Sequence, residues 1–338
     1  MSAVTRLATL VVVGILSSAA SSARAQEACT PEGLFGSRPS TFNFRYENDH
    51  FAGQDQGYSS GLRWQFGSRD VAHEACDPGS VTLAKHLLGW ALPGNPDELN
   101  LLAGVEHQVY TPTDRLRTDV IVDDRPYAAW LFTTWGLRAR TGNQLVRNYV
   151  NIGVVGPAAG GEQVQNFIHH ILGRPRFNGW NNQLHNELGL QWVYDHAYRI
   201  ELSPQSRLQI DAVPHWGGSV GNVATYAEAG SELRIGPHLP DDFGRIPASA
   251  AKGETGLRPY FFASLDGRLV LRDIFLDGNS FGDSQSVNKK SVVGEYALGV
   301  AMYIGNMKVS FTRLHRTREF EGQKELPSYG SLNFTQSF

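Results

Sequence analysis

The chain has 338 residues and a formal net charge of −3, and only 19% of its residues are charged. This near-neutral balance argues against a nucleic-acid-binding protein, which would carry a basic patch. No stretch after the N-terminus approaches 18 uninterrupted apolar residues, so the sequence predicts no transmembrane helix. It shows no internal repeat and no domain boundary, which favours one large domain.

The N-terminus has the pattern of a secretory signal peptide. Arg6 supplies the positive charge, residues 7–16 the short apolar core, and residues 23–25 a small-x-small cleavage site. The alternative is an N-terminal membrane anchor, for which this apolar core is short. We therefore interpret residues 1–25 as the signal peptide and residues 26–338 as the mature domain.

The chain contains two cysteines, Cys29 and Cys76. Export to an oxidising compartment favours a disulfide between them, and two unrelated thiols are the alternative.

Apolar and polar residues alternate with a period of two along most of the chain, which predicts β-strands. In the first strand Phe42, Phe44 and Tyr46 face one way, and in the second Tyr58 is expected to face outwards and Ser59 inwards. The predicted strands span residues 40–49, 56–67, 98–110, 127–140, 145–155, 184–199, 207–216, 221–235, 257–271, 291–303, 307–317 and 328–338.

Twelve such strands, an even number, predict an all-β fold: a closed antiparallel transmembrane β-barrel with an apolar outside and a polar lumen. Closure satisfies every backbone group of the strands within lipid. A soluble β-sandwich would alternate too, but the terminal Phe338 and the aromatic residues near strand ends resemble a bacterial outer-membrane barrel. A multi-pass barrel in the outer membrane is the expected location.

Two helices are predicted in the connections, at about residues 81–92 and 162–172. The second is a short helical loop that ends before Gly173 and Pro175. Its three- and four-residue spacings place polar residues on one face and apolar residues on the other. The polar residues are Glu162, Gln165, Asn166 and His169, and the apolar residues are Val164, Ile168 and Ile171. A solvated helix that merely caps the barrel is the alternative interpretation.

An even number of strands places both termini in the periplasm, so that odd strands run outwards. Asn48, Asp49 and Ser59, the charged loop 111–126 and the helix with His169 then fall at the extracellular rim. The connection after the second strand is periplasmic, which puts both cysteines on one side.

The residue types at this rim suggest hydrolytic chemistry. Asn48 and Asp49 offer hard oxygen ligands suited to Ca²⁺, although an Asn-Asp turn is the simpler reading. His169 can act as a general base because an unperturbed imidazole titrates near neutrality, with His170 as its competitor. Ser59 could contribute its hydroxyl to the same site, and the alternative is a small polar residue that only lines the lumen.

Four motifs resemble the outer-membrane lipid A 3-O-deacylase family. They are ENDHFAG (47–53), QGYSSGL (56–62), DRPYAAWL (124–131) and VGPAAGGEQVQNFIHHILG (155–173). The resemblance implies a twelve-stranded barrel with a Ca²⁺-dependent site at the outer rim. It also implies hydrolysis of the ester at the 3′ position of lipid A, with release of an acyloxyacyl group.

The resemblance carries over to individual residues. The family's Asn-Asp pair matches Asn48 and Asp49, its strand-two hydroxyl matches Ser59, and its histidine after Gln-Asn matches His169. Two positions depart from the pattern. An acidic residue six positions after the histidine is replaced by Pro175, and the family's lysine after strand three has no clear match.

Other residues are candidates for these missing roles. Glu187 or Glu162 is a candidate replacement carboxylate for the metal, and Arg115, Arg117 and Arg125 are candidate partners for lipid A phosphates. We expect a monomeric enzyme whose partners are lipopolysaccharide and the outer membrane. A phospholipase or acyltransferase at the same rim, and a passive pore or adhesin, are the alternative functions.

Overall fold

The computed structural model of the protein describes residues 39–54, 56–72, 77, 79–203, 205–245 and 256–338. The predicted signal peptide at residues 1–25 lies outside the described residues, and so does the predicted Cys29–Cys76 disulfide.

The strands form one closed antiparallel sheet, in which β1 pairs with β13 and β6 pairs with β8. The two-residue strand β7 only extends the edge of β8, so twelve long strands form the wall, as the sequence predicts. The strands are β1 (Thr41–Asn48), β2 (Gly57–Gly67), β3 (Glu98–Thr111), β4 (Ala128–Thr141), β5 (Gln144–Val155), β6 (Glu187–Tyr198), β7 (Ile200–Glu201), β8 (Gln209–Gly221), β9 (Ala224–Gly236), β10 (Leu257–Asp273), β11 (Val292–Ile304), β12 (Met307–Arg316) and β13 (Ser328–Ser337).

The outer face of the barrel is apolar. Along β10, for example, Phe261, Leu265 and Leu269 are exposed, whereas Phe262, Ser264 and Val270 on the alternate row are buried. Such a continuous apolar surface would be an aggregation hazard in water, but it is the surface that a lipid bilayer requires.

The lumen is polar and holds a cavity of about 430 Å³. Opposite charges on neighbouring strands pair on its inner surface, as in Arg147–Asp195 at 2.6 Å and Arg268–Glu228 at 2.7 Å. Each charge is thereby compensated where water is scarce.

Aromatic side chains occupy both ends of the lumen. At one end Tyr110 stacks on Phe275 with ring centroids 4.0 Å apart, and Trp130 stacks on Phe132. At the other end Phe243 packs with buried aliphatic residues of β5, β6 and β8.

The loop lengths distinguish the two ends of the barrel. At the end that holds Thr41 and Ser337, two of the connections are tight two-residue turns, at 142–143 and 305–306. The opposite end carries the long connections 112–127 and 156–186. Because barrels of this class have short periplasmic turns and long outer loops, we assign the second end as the extracellular rim.

Three helices lie in the described connections: α1 (Gly79–Leu88), α2 (Gly161–Ile171) and α3 (Ile274–Asp277). The first two confirm the predicted helices, with α1 beginning and ending earlier than expected. None of the helices in the described ranges is long and apolar enough to span a bilayer.

One strand boundary was predicted wrongly. The break expected at residues 217–220 is part of β8, and the turn comes later, at 222–223. The neighbouring strands approach β8 closely at Gly217 and Gly218. A Cβ at Gly217 would lie 2.4 Å from the carbonyl oxygen of Tyr194, and a Cβ at Gly218 would lie 2.6 Å from that of Tyr226.

Candidate active site on the outer wall

Asn48 ends β1 and fixes the turn that follows it. Its Oδ1 accepts a hydrogen bond from the backbone N–H of His50 at 2.9 Å, which caps the 3-10 turn Asp49–Ala52. Its Nδ2 donates to the carbonyl oxygen of Ser59 at 2.9 Å. The buried Asn48 side chain therefore ties the end of β1 to the start of β2.

Asp49 brings a carboxylate to the same place. It is only 3% exposed, and its Oδ2 accepts a hydrogen bond from the N–H of Gln56 at 2.6 Å. Asn48 precedes Asp49 in the chain, and Ser59 is brought near Asn48 because β1 and β2 pair here. A buried carboxylate among neutral oxygens is a donor set that fits Ca²⁺. The described residues contain no cluster of three His, Cys, Asp or Glu side chains that could hold a metal.

Ser59 does not face the lumen, contrary to the sequence-based expectation. A β-bulge shifts the register between Tyr58 and Ser60 against β3. As a result Tyr58 points inwards, where its hydroxyl donates to Glu47 at 2.8 Å. The hydroxyl of Ser59 instead lies 2.5 Å from that of Thr111. Since Tyr110 lines the lumen, alternation along β3 places Thr111, and with it the Ser59 hydroxyl, on the outer side of the wall.

Helix α2 covers this outer side of the wall near the rim and contacts β3 and β4. Its first residue, Gly161, sits so close to β4 that a Cβ there would lie 2.5 Å from the Cβ of Ala129. Buried residues of the wall and of the segment after α2 form one cluster, which includes Val109, Tyr127, Phe177 and Trp180. The helix is therefore packed against the outside of the barrel.

The polar face of α2 is the buried one. Gln165 and His169 are 2% and 5% exposed, whereas Phe167 and Ile171 are each 65% exposed. This is the reverse of an amphipathic helix on a soluble protein. It is the arrangement expected when the surroundings are lipid and the space between helix and wall is polar.

Both ring nitrogens of His169 are hydrogen-bonded. Nδ1 lies 2.6 Å from the carbonyl oxygen of Pro175, and Nε2 lies 2.8 Å from Nε2 of Gln165. Because a carbonyl can only accept, Nδ1 carries the proton and Nε2 has a lone pair directed at the Gln165 amide. The imidazole edge also packs on the ring of Phe177, at 5.5 Å between centroids. The neutral base is thus held in one tautomer.

A side-chain contact links the two halves of the site. Arg174, which follows α2, donates from Nη2 to Nδ1 of His50 at 3.1 Å. His50 follows Asp49 directly, so the segment that begins with His169 and the turn that begins with Asp49 meet at the extracellular rim. The turn after Asn48 and the segment that follows His169 are therefore neighbours at this rim.

Two of the three predicted phosphate ligands lie beside this region. The carbonyl oxygen of Arg115 accepts from the N–H of Asn178 at 2.9 Å, so the loop 112–127 packs on the segment after α2. Arg117 is exposed in the same loop and pairs with Asp119 at 2.5 Å.

Arg125 is placed differently from the prediction. Its side chain is buried and pairs with Glu319 at 2.8 Å, close to the rings of Tyr110 and Phe320. Burial would raise the pKa of Glu319, but Arg125 and Arg316 outweigh it and hold that pKa below its ordinary value. An arginine engaged in this way stabilises the rim and does not face a surface phosphate.

The structure also separates Glu187 from Asp49. Four strands lie between β1 and β6, which corresponds to roughly 20 Å along the wall. The Glu187 carboxylate accepts hydrogen bonds from Asn222 at 2.7 Å and from the N–H of Ser280 at 2.7 Å. It therefore organises a neighbouring loop, and Glu162, the other candidate, is exposed on α2.

Three residues that sequence reasoning did not place in the site belong to it. Gln165 holds His169, Thr111 holds Ser59, and Arg174 joins the helix segment to His50. Only Gln165 left a signal, since it shares a helix face with His169 at a four-residue spacing.

The comparisons with known proteins agree with this fold. The model of the family described as outer membrane protein LpxR matches residues 8–338. A solved structure of LpxR from Salmonella typhimurium has a TM-score of 0.70 and 20% identity, and the match covers 88% of this chain and all of that one. At this identity the likeness concerns the fold alone. No curated protein matches the sequence.

Two more distant barrels are similar only in outline. The β domain of the Bordetella autotransporter BrkA has a TM-score of 0.42 and 12% identity, over 88% of this chain and 97% of that one. The KdgM porin has a TM-score of 0.35 and 6% identity, over 88% and 99%. Neither likeness bears on the site.

Proposed function

Because the chain belongs to the LpxR family of outer-membrane proteins, we propose that it is a Ca²⁺-dependent lipid A deacylase. It would act as a monomeric ester hydrolase that removes the 3′-acyloxyacyl group of lipid A in the outer leaflet. The observation that carries the proposal is helix α2, whose polar face holds His169 against the wall while its apolar face is exposed.

The orientation of α2 matches the location of the ester in such a lipid. Acyl chains lie in the hydrocarbon layer and the sugar lies at the surface, so the ester bonds sit at their boundary. Phe167 and Ile171 favour insertion of α2 at that boundary. The buried polar residues Gln165 and His169 then lie near the depth of the substrate's ester.

His169 is the general base of the proposed reaction. Its Nε2 takes a proton from water as the water oxygen attacks the ester carbonyl carbon. The Nδ1–H bond to Pro175 keeps the ring oriented and stabilises the imidazolium that forms. When the tetrahedral intermediate collapses, the imidazolium returns the proton to the departing sugar oxygen, and the products are a free hydroxyl and a carboxylic acid.

Gln165 has a supporting role in this step. Its amide occupies Nε2 of His169 in the free protein, at 2.8 Å. A water molecule can bind Nε2 only if the Gln165 amide moves away. Until substrate arrives, the amide therefore keeps the base hydrogen-bonded.

Asp49 would hold Ca²⁺, with Asn48 and Ser59 contributing neutral oxygens. When bound, the ion supplies a positive charge that polarises the ester carbonyl and stabilises its developing oxyanion. The hydroxyl pair Ser59–Thr111 keeps the Ser59 oxygen in a fixed direction.

Arg115 and Arg117 are the proposed contacts for the lipid A phosphates. Their loop packs beside the segment after α2, and guanidinium groups bind phosphates in a bidentate manner. Arg117 would have to leave Asp119 to bind the phosphate. This costs little free energy because the Arg117–Asp119 ion pair is exposed to solvent.

The proposal is tested by mass spectrometry of lipid A incubated with the detergent-folded protein, with Ca²⁺ and with EDTA. Loss of one acyloxyacyl unit only in the presence of Ca²⁺ is the expected result. Cleavage of a glycerophospholipid, or transfer of an acyl chain to another lipid, would identify the phospholipase or acyltransferase instead. Unchanged lipids in every condition, from protein that is folded by its gel mobility, would contradict the proposal.

A further inference from the structure

The connection after β2 is unusually long for the periplasmic end. It runs from residue 68 to residue 97, whereas two other connections at that end have two residues. Short turns are the rule on this side of an outer-membrane barrel. The extra residues include α1 and the 3-10 turn Gly89–Ala91, and they play no part in the proposed reaction at the opposite rim.

One face of α1 is packed on the outside of the wall. Val81 and Ala84 are fully buried, in a cluster with Leu101 and Leu137. Leu101 belongs to the outward row of β3, because the residues that line the lumen occupy the other row. Further along the same row, Val105 is exposed. Helix α1 thus covers part of the surface that would otherwise contact lipid.

A buried polar anchor fixes the end of α1 on the wall. Asn148, on the outward row of β5, donates from Nδ2 to the carbonyl oxygen of Leu88 at 2.7 Å. Its Oδ1 accepts from Nε1 of Trp192 at 2.6 Å. Asn148 is fully buried. An amide on a lipid-facing row is costly unless it is satisfied in this way, so the helix end and the wall stabilise each other.

The exposed side of α1 carries large apolar side chains beside the polar residues Thr82 and His86. Leu83, Leu87 and Trp90 are 48%, 51% and 71% exposed. The ring of Trp90 lies 5.7 Å from that of Trp192, which shares its row with the exposed Leu190. The apolar surface of α1 is therefore continuous with the lipid-facing surface of the barrel.

The height of the anchor shows that this face does not lie below the membrane. Asn148 is four residues above the first residue of β5, which is roughly 10 Å once strand tilt is included. The apolar belt of such barrels is about 25 Å tall. Lys85, on the flank of α1, donates to Asp77 at 2.7 Å and to the carbonyl oxygen of Val71, so its charge is paired.

We propose that α1 and Trp90 are embedded in the inner, phospholipid leaflet of the outer membrane. Leu83, Leu87 and Trp90 contact phospholipid acyl chains, and the helix forms a second membrane-seated element on the wall that also carries α2. The partner is a lipid surface and not a periplasmic protein. This inference is independent of the proposed enzymatic activity.

The test is fluorescence quenching in vesicles of phospholipids brominated along their acyl chains. Trp90→Phe is compared with Trp64→Phe, which removes a lipid-facing tryptophan of β2, and with Trp130→Phe, which removes a tryptophan buried in the lumen. Loss of Trp90 should reduce the bromolipid-quenched intensity at least as much as loss of Trp64. Loss of Trp130 should reduce the bromolipid-quenched intensity by less than half of the reduction caused by loss of Trp64.

Quenching by iodide in the aqueous phase reports tryptophans that are exposed to water instead of lipid. If Trp90→Phe removes iodide-quenched intensity and leaves the bromolipid-quenched intensity unchanged, Trp90 is in water and the proposal is wrong. All three substitutions keep an aromatic ring, and the gel mobility of the unheated protein verifies that each barrel is folded.

Discussion

Pro175 holds His169 through its backbone, with the carbonyl oxygen 2.6 Å from Nδ1 of the ring. The proline occupies the position at which the resembled family can have an acidic side chain. A carbonyl accepts the same hydrogen bond as a carboxylate and fixes the same tautomer, but it brings no full charge to stabilise the imidazolium. The ring orientation needed for a general base is therefore kept without the acid.

His169→Gln should reduce lipid A deacylation by about 100-fold or more, because a glutamine cannot take the proton from water. His170→Gln, on the exposed neighbour, should stay within about threefold of the native rate. Pro175→Ala also retains a carbonyl and should keep most of the activity. Rates are measured by mass spectrometry of the released acyl group. Equal loss in both histidine variants would remove His169 from the role of base.

Asp49→Asn should raise the Ca²⁺ concentration required for half-maximal activity by about tenfold or more, since carboxylate charge sets much of the affinity of a Ca²⁺ site. The matched variant is Glu187→Gln, which changes a carboxylate five strands away along the wall. Its Ca²⁺ requirement should be unchanged. If Glu187→Gln raises the required Ca²⁺ concentration and Asp49→Asn does not, the ion is bound at Glu187 and the assignment to Asp49 is wrong.

Phe167→Glu should lower activity on lipid A in vesicles by about tenfold or more while the barrel remains folded. The substitution puts a charge on the exposed apolar face of α2, which the proposal places in the acyl layer. Glu162→Gln changes an exposed polar residue of the same helix and should have little effect. Native activity in Phe167→Glu would mean that this face of α2 is in water.

Glu319 should give the barrel an acid-sensitive contribution to stability. Burial works against its charged form, but Arg125 and Arg316 lower its pKa in the folded protein. A carboxyl with a lowered folded-state pKa stabilises the fold above its unfolded pKa, about 4.3, and this contribution is lost as the pH falls through the folded value. We expect reversible urea unfolding in lipid to show this loss as the pH falls below about 4.3, and no loss from this group between neutral pH and that value.

The variant Glu319→Gln separates this contribution from the titration of other carboxyls. It leaves Arg125 buried beside a neutral amide, so it should lose about 3 kcal/mol at neutral pH. Its free energy of unfolding should then depend less on pH than that of the native protein. An equally steep acid dependence in the variant would assign the effect to other groups.

Local sequence patterns were sufficient for most of the architecture. The strands and the helix with His169 follow from periodicities of two and of about 3.6 residues, which neighbouring residues create by themselves. The prediction that Asn48, Asp49 and His169 meet at one rim followed from counting strands.

The errors all concern interactions between distant parts of the chain. The bulge at Ser59 depends on its register against β3, so alternation alone gave the wrong side. Arg125 is buried by Glu319, nearly two hundred positions later, and Glu187 by the loop at Ser280. The amphipathic pattern of α2 did not reveal which of its faces packs against the wall. The same pattern is compatible with either the polar or the apolar face towards the barrel.

The aromatic rings at both ends of the lumen have a consequence for the cell that makes this protein. Phe275 packs at one end of the lumen and Phe243 at the other, and ion pairs and a cavity of about 430 Å³ lie between them. Chemistry placed on the outer wall needs no channel through the middle. The cell can therefore carry out a reaction at its surface with a protein whose lumen takes no part in that reaction.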